Sequence, residues 1–307
     1  MTASRRDGLT AYPTNRVILL ENCNCPYCNG AFSDTLTWTK EHVIGRKFVP
    51  KGSLNAAFNL LLRACARCNG IKADLENDIS VITMHPDTLG RFPVDDARLR
   101  DEVARKAQKA FSRRTGKPVA AGEPPFVIRG KMGDALEMTF TMRSPPQVDE
   151  NRQFLLARLQ LQGFFFFLTY KEDIQRGHFW LGDFHPLLAV RREDWGNPQL
   201  AWFENETKGW LPRLNAITAD GFYKVWIRRK DEVSNAWAWA IEWNQNFRLA
   251  GFFGMDDAVQ PHVAAMPPLK LDTLHGTGKD WLKVRTEVPL APERDTLFDW
   301  DEAEEAA

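Results

Sequence analysis

Two Cys-x-x-Cys pairs, Cys25-Pro26-Tyr27-Cys28 and Cys65-Ala66-Arg67-Cys68, flank a long loop. Each pair gathers two sulfurs within one tight turn. Two such pairs complete a tetrahedral set of four ligands and tie the ends of the loop together. No thioredoxin-like βαβ pattern surrounds either pair, so the reading is a structural zinc rather than a redox dithiol or a disulfide frame. Four cysteine ligands leave no open position for water, so such a zinc shapes the loop and performs no chemistry. The fifth cysteine, Cys23, reads as a spare thiol beside the site or a small buried residue.

Between and after the pairs lie residue types suited to chemistry. Thr35 to Thr39 alternates and predicts a strand that delivers Glu41-His42 at its end. Pro50 and Gly52 break the chain, Ala56 to Arg63 is compatible with a helix, and Ala66 to Leu75 reads as a short helix carrying Asn69 and Lys72. Arg16 to Leu20 is an apolar run expected to pack under the zinc site. His85, His178, His185, His262 and His275 have no companions at informative spacing and read as structural.

The order Cys-Pro-Tyr-Cys, Glu-His-Val-Ile, Asn-Leu-Leu-Leu and Cys-x-x-Cys-Asn-x-x-Lys resembles the zinc-containing HNH endonucleases, a branch of the His-Me finger (ββα-metal) nucleases, over about residues 20–80. The resemblance implies that His42 is the general base of phosphodiester hydrolysis. It also implies that Glu41 and Asn69 hold a catalytic Mg²⁺ or Mn²⁺, a hard ion suited to oxygen donors. Asn59 would orient the loop and Lys72 would touch a phosphate. Asn55 stays open for the Asn59 role, because Asn59 lies six steps before Cys65 where the family usually has five.

The whole chain is neutral, but residues 1–130 hold 20 Lys/Arg against 13 Asp/Glu, and the remainder reverses the balance. A basic N-terminal part suits a polyanion. Residues 93–116 predict an amphipathic helix capped by Asp95 or Asp96 and ended by Gly116, with Leu99, Val103, Ala107, Ala110 and Phe111 on one face. Arg105, Lys109 and Arg113 on this helix, with Arg46 and Lys47, are candidate DNA contacts.

The expected fold class is α+β: an N-terminal ββα-metal domain with a four-cysteine zinc (8–92), a basic helix and linker (93–125), an α+β domain with an antiparallel sheet (126–286) and an acidic, disordered tail (287–307). Strand pairs are expected at Phe126–Arg129 with Leu136–Arg143, and at Phe222–Arg229 with Trp237–Trp243. A third strand is expected at Phe247–Phe253 and a helix over Asp149–Tyr170. Trp237, Trp239, Ile241 and Trp243 share a strand face, read as sheet core in preference to a base-stacking surface. Gly163 to Leu168 is too short to span a membrane, and Met1 to Asp7 lacks a signal-peptide core, so the expected location is the cytoplasm.

The expected activity is a metal-dependent DNA endonuclease acting on double-stranded DNA, with RNA open as a second polyanion. Its setting would be restriction or anti-phage defence, a phage or a mobile element. Residues 126–286 would select the target or receive a partner protein or nucleotide signal. The rival from another class is a non-catalytic zinc-knuckle binder of nucleic acid.

Overall fold

The computed structural model describes residues 15–87, 90–92, 97–132, 136–142, 144–277 and 280–299. Its architecture is α+β, built on a small mixed sheet and a larger antiparallel one. The small sheet joins β1 (Val17–Leu19), β2 (Trp38–His42) and β3 (Asn59–Cys65) in the order β1-β3-β2, with β1 parallel and β2 antiparallel to β3. Helix α1 (Ala66–Met84) follows β3 without a break.

Three expectations are corrected in this region. The strand expected at Thr35–Thr39 is β2, which starts three residues later, because the Ser33 hydroxyl accepts from the backbone N–H groups of Thr35 and Leu36 and holds a turn there. The segment expected to be helical, Ala56 to Arg63, becomes β3 from Asn59 onward. β3 is the central strand and nearly all of it is buried, so it reads as a continuous apolar run with no alternation to distinguish it from helix. Helix α1 runs nine residues past Leu75, and the extension from Asp78 to Met84 is buried on every side, leaving no one-sided pattern to betray it.

Helix α2 (Ala97–Lys109) buries Leu99, Val103 and Ala107 as the periodicity required, with Ala110 just beyond. Its predicted caps, Asp95 and Asp96, lie outside the described residues. It ends before Phe111, which is half exposed and bridges to Pro118, while Gly116 sits in the following turn at φ +67°. The expected linker is a packed connection. Val119 fills a small core with Val81, Ile82, Ala107 and Ala110, and buried Glu123 pairs with Arg114.

Then come the antiparallel pair β4 (Phe126–Met132) and β5 (Leu136–Met142), and the helix α3 (Glu150–Leu168), capped by the Asp149 side chain. The larger sheet contains β6 (Asp183–Arg191), β7 (Leu211–Thr218), β8 (Tyr223–Arg229), β9 (Ala236–Trp243) and β10 (Phe247–Gly254) in the order β6-β10-β9-β8-β7. Helices α4 (Pro198–Glu206) and α5 (Asp256–Ala264) and the pair β11 (Asp272–Thr277) and β12 (Asp280–Val284) complete the elements.

One core unites these parts. α3 lies between the sheets, with Phe164 against Phe58 and Tyr223, and Phe165 edge-on to Trp180, Trp237 and Phe253. Trp239, Ile241 and Trp243 are fully buried on this face, so the tryptophans are sheet core. Buried Gln160 accepts through its carbonyl oxygen from Tyr223 Oη at 3.1 Å and from Trp243 Nε1 at 2.9 Å, which gives both buried donors a partner. Ala236, Ala238 and Ala240 face a second core with α4, α5, Leu297 and Phe298. The tail was expected to be disordered, but residues 295–298 within its described part are docked. Leu297 and Phe298 are buried, Trp226 Nε1 donates to Leu297 O, and Asp295 pairs with buried Arg248. Among the described residues, no helix is long and apolar enough to cross a membrane.

Candidate functional site

The two cysteine pairs converge. Cys25 and Cys28 occupy a turn closed by hydrogen bonds between Cys25 and residues 29 and 30, with Asn29 at φ 59°. Cys65 ends β3 and Cys68 lies in the first turn of α1. The four sulfurs lie within 4.8 Å of one another, a group that could hold a metal ion such as zinc. A Zn–S length of about 2.3 Å places tetrahedral sulfurs roughly 3.8 Å apart, and Cys28 Sγ and Cys65 Sγ are 3.8 Å apart. The Cys65 N–H also donates to Cys25 Sγ. Burial pushes the Cys25 thiol up to about 11, so loading a metal must expel protons. Cys23 stands apart, with its sulfur against Ile174 O.

Next to this cluster the turn after β2 is held from two sides. From β3, the Asn59 side chain accepts from Ile44 N at 3.2 Å and donates to Ile44 O at 2.8 Å. Asn59, not Asn55, therefore orients the loop. The spacing concern dissolves because the segment is a strand, in which register rather than helical rotation fixes the side. From α1, the Lys72 ammonium donates to His42 O at 2.9 Å, and Glu76 accepts from Gly45 N at 3.2 Å. α3 presses on the same turn. Gly163 lies so close to Val43 that an added Cβ would meet Val43 Cγ2 at 2.7 Å.

His42 opens onto a cleft of about 630 Å³ that Glu41, Asn69 and Glu76 also line. Lys40, Arg46, Lys47, Arg105, Lys106 and Lys109 line it too, so two elements remote in sequence build one cationic wall. A second cleft of about 810 Å³ continues from His42, Arg46 and Arg105 toward Lys51 and Asn55. Lys106 ties α2 to the loop by donating to Lys47 O, and the Lys51 N–H donates to Glu102. His42 is half-buried, and its Nε2 accepts from Arg46 Nε at 3.1 Å. Burial first, then the charges of Arg46, Lys40 and Lys72, hold its pKa below the usual imidazole value. It is therefore neutral at neutral pH.

Two of the expected contacts are corrected. Lys72 is buried and spends its donors on Glu41 at 2.8 Å, Glu76 at 2.5 Å and His42 O, so it is not available to a phosphate. Arg113 lies past the end of α2, where it pairs with Asp74 while its N–H donates to Asp78, and it does not line either cleft. Glu41 is also buried and accepts from Tyr27 Oη at 3.2 Å. Asn69 donates through its amide nitrogen to Thr39 Oγ1 at 2.8 Å, which leaves its carbonyl oxygen as the atom for a cation. A carboxylate and a carboxamide oxygen on one cleft form a donor set that suits a hard divalent ion. Glu76 escaped the sequence reading. Its signal is the helical spacing of Asn69, Lys72 and Glu76, which puts all three on one face of α1. Comparison with family models, with curated proteins and with solved structures gives no match.

Proposed function

We propose that the chain is a metal-dependent endonuclease that hydrolyses phosphodiester bonds in DNA with His42 as general base. One observation carries the reading: a neutral, half-buried His42 opens onto a cleft shared by Glu41 and Asn69 and walled by six Lys and Arg side chains. The succession of β2, β3 and α1, with the four cysteines at their junction, further supports a ββα-metal arrangement. In this reading zinc on the cysteines is structural, and it steadies the start of α1.

The cationic wall neutralises backbone phosphates and positions the strand without reading its sequence. An incoming phosphate draws the Arg46 guanidinium off His42 Nε2. The freed lone pair takes a proton from the water that attacks phosphorus in line with the leaving 3′ oxygen. Glu41 and the Asn69 carbonyl oxygen would hold Mg²⁺ or Mn²⁺, which when bound supplies positive charge to the scissile phosphate. Asn59 and the α1 contacts hold the imidazole in place, so its orientation is set before substrate arrives. The leaving 3′ oxygen takes its proton from solvent water, so the products are a 5′ phosphate and a 3′ hydroxyl.

The test is conversion of supercoiled plasmid to nicked or linear form in the presence of Mg²⁺ or Mn²⁺. His42→Ala is expected to bind DNA with unchanged affinity and to cut at least about 10²-fold more slowly. Equal cutting by the two proteins refutes the mechanism. Binding without cutting under any divalent ion makes the zinc-knuckle binder the better reading.

A further inference from the structure

We infer that the Lys72 ammonium is the resident cation of this site and sets how weakly the free protein holds a divalent ion, with Glu76 as the second carboxylate it bridges. The inference rests on the endonuclease reading for the presence of that ion.

Lys72 is 1% exposed, and an ammonium that deep is stable only when paired and hydrogen-bonded. Its three donors go to Glu41 Oε1, Glu76 Oε1 and His42 O. Glu76 is placed for this by its i+4 spacing and by Gly45, where a Cβ would meet Glu76 Oε2 at 2.2 Å. Position 45 therefore has to lack a side chain for the carboxylate to reach the Gly45 N–H. Both carboxylates line the cleft with His42 and Asn69.

Two carboxylates and one ammonium carry a net charge of −1 where the carboxylates alone would carry −2. An ion approaching Glu41 and Asn69 meets a carboxylate already engaged by a cation at 2.8 Å, and it meets that cation's repulsion. Phosphate oxygens arriving with DNA restore the missing negative charge. Ion and nucleic acid therefore reinforce each other's binding, and the factor is the same in both directions. The free protein keeps its hydrolytic site largely unarmed until substrate is present.

The experiment is a Mn²⁺ titration of zinc-loaded, DNA-free protein, read by electron paramagnetic resonance of the free ion, so it needs no turnover. Lys72→Met is expected to bind Mn²⁺ at least about tenfold more tightly than wild type. Glu76→Gln, which keeps Lys72 and removes one negative charge, is expected to bind it several-fold more weakly. Lys72→Met affinity equal to or weaker than wild type overturns the inference. If Lys72→Met does not fold, unchanged affinity in Glu76→Gln overturns it. A protein that cuts DNA while its Mn²⁺ affinity ignores both substitutions defeats this inference alone. One that responds as stated but never cuts defeats the endonuclease reading alone.

Discussion

Asn59 joins the two halves of the catalytic reading. Its carboxamide grips Ile44 through both N–H and C=O, two residues beyond His42, and it is itself 3% exposed. Asn59→Ala leaves the Ile44 N–H and C=O without their partners, and an unsatisfied buried group costs its desolvation. The expected loss is roughly 2 to 3 kcal/mol in urea unfolding, with a larger loss in cleavage than in DNA binding. Asn55 is exposed, so Asn55→Ala is expected to leave stability unchanged. The reverse ranking would restore Asn55 as the motif residue. At this scale the sequence was informative about identity and less so about state. His42, Glu41 and Asn69 line one cleft, Asn59 holds the turn beside His42, and the four cysteines converge. The family resemblance put Lys72 on a phosphate, and it carries no information about burial. Its burial depends on Glu76 and Glu41 both pairing with it, which is a property of packing.

At the level of elements, α2 carries much of the proposed contact with a polyanion. Its apolar stripe is buried under α1 and the loop, so the opposite face is fixed toward the cleft, and Arg105 and Lys109 line the same wall as Lys40 and Arg46. Removing either Arg105 or Lys109 is expected to reduce the slope of log affinity against log salt by about 1 each and to leave thermal stability unaltered. Arg113→Ala, which touches neither cleft, is expected to leave the slope unchanged. Fluorescence anisotropy on a labelled duplex across a salt series measures all three. A common effect of all three variants would mean diffuse charge rather than a defined wall. α2 was legible from its one-sided period, and the hairpin of β8 and β9 from the alternation of large and small residues along β9, whose two faces enter different cores. β3 and the second half of α1 were not, because elements buried all round carry no periodic signal.

Across the whole molecule, the larger sheet acts as a buttress for the candidate site. Thr218 Oγ1 donates to Phe58 O at 2.6 Å, next to Asn59, and Asn244 Nδ2 donates to Phe48 O and Thr83 Oγ1. In the acidic C-terminal segment, Leu297 and Phe298 lie on the opposite sheet face and complete the second core. A tail that competed with DNA would raise nucleic acid affinity when lost. A docked strap gives the opposite pattern. Phe298→Ala is expected to cost about 3 kcal/mol in urea unfolding while DNA affinity at low salt stays constant. Stability unchanged with affinity raised would show instead a tail that competes with DNA. By itself, the sequence determined the four-sulfur cluster, the order of the motif residues and the amphipathic elements. Each of these follows from spacing along the chain and from the period of a helix or strand. Only the tertiary structure decided that Lys72 is an internal cation, that Glu76 belongs to the site, that α2 lines the cleft and that Leu297 and Phe298 are core. Those outcomes depend on which groups from distant segments exclude water together, and no local pattern records that.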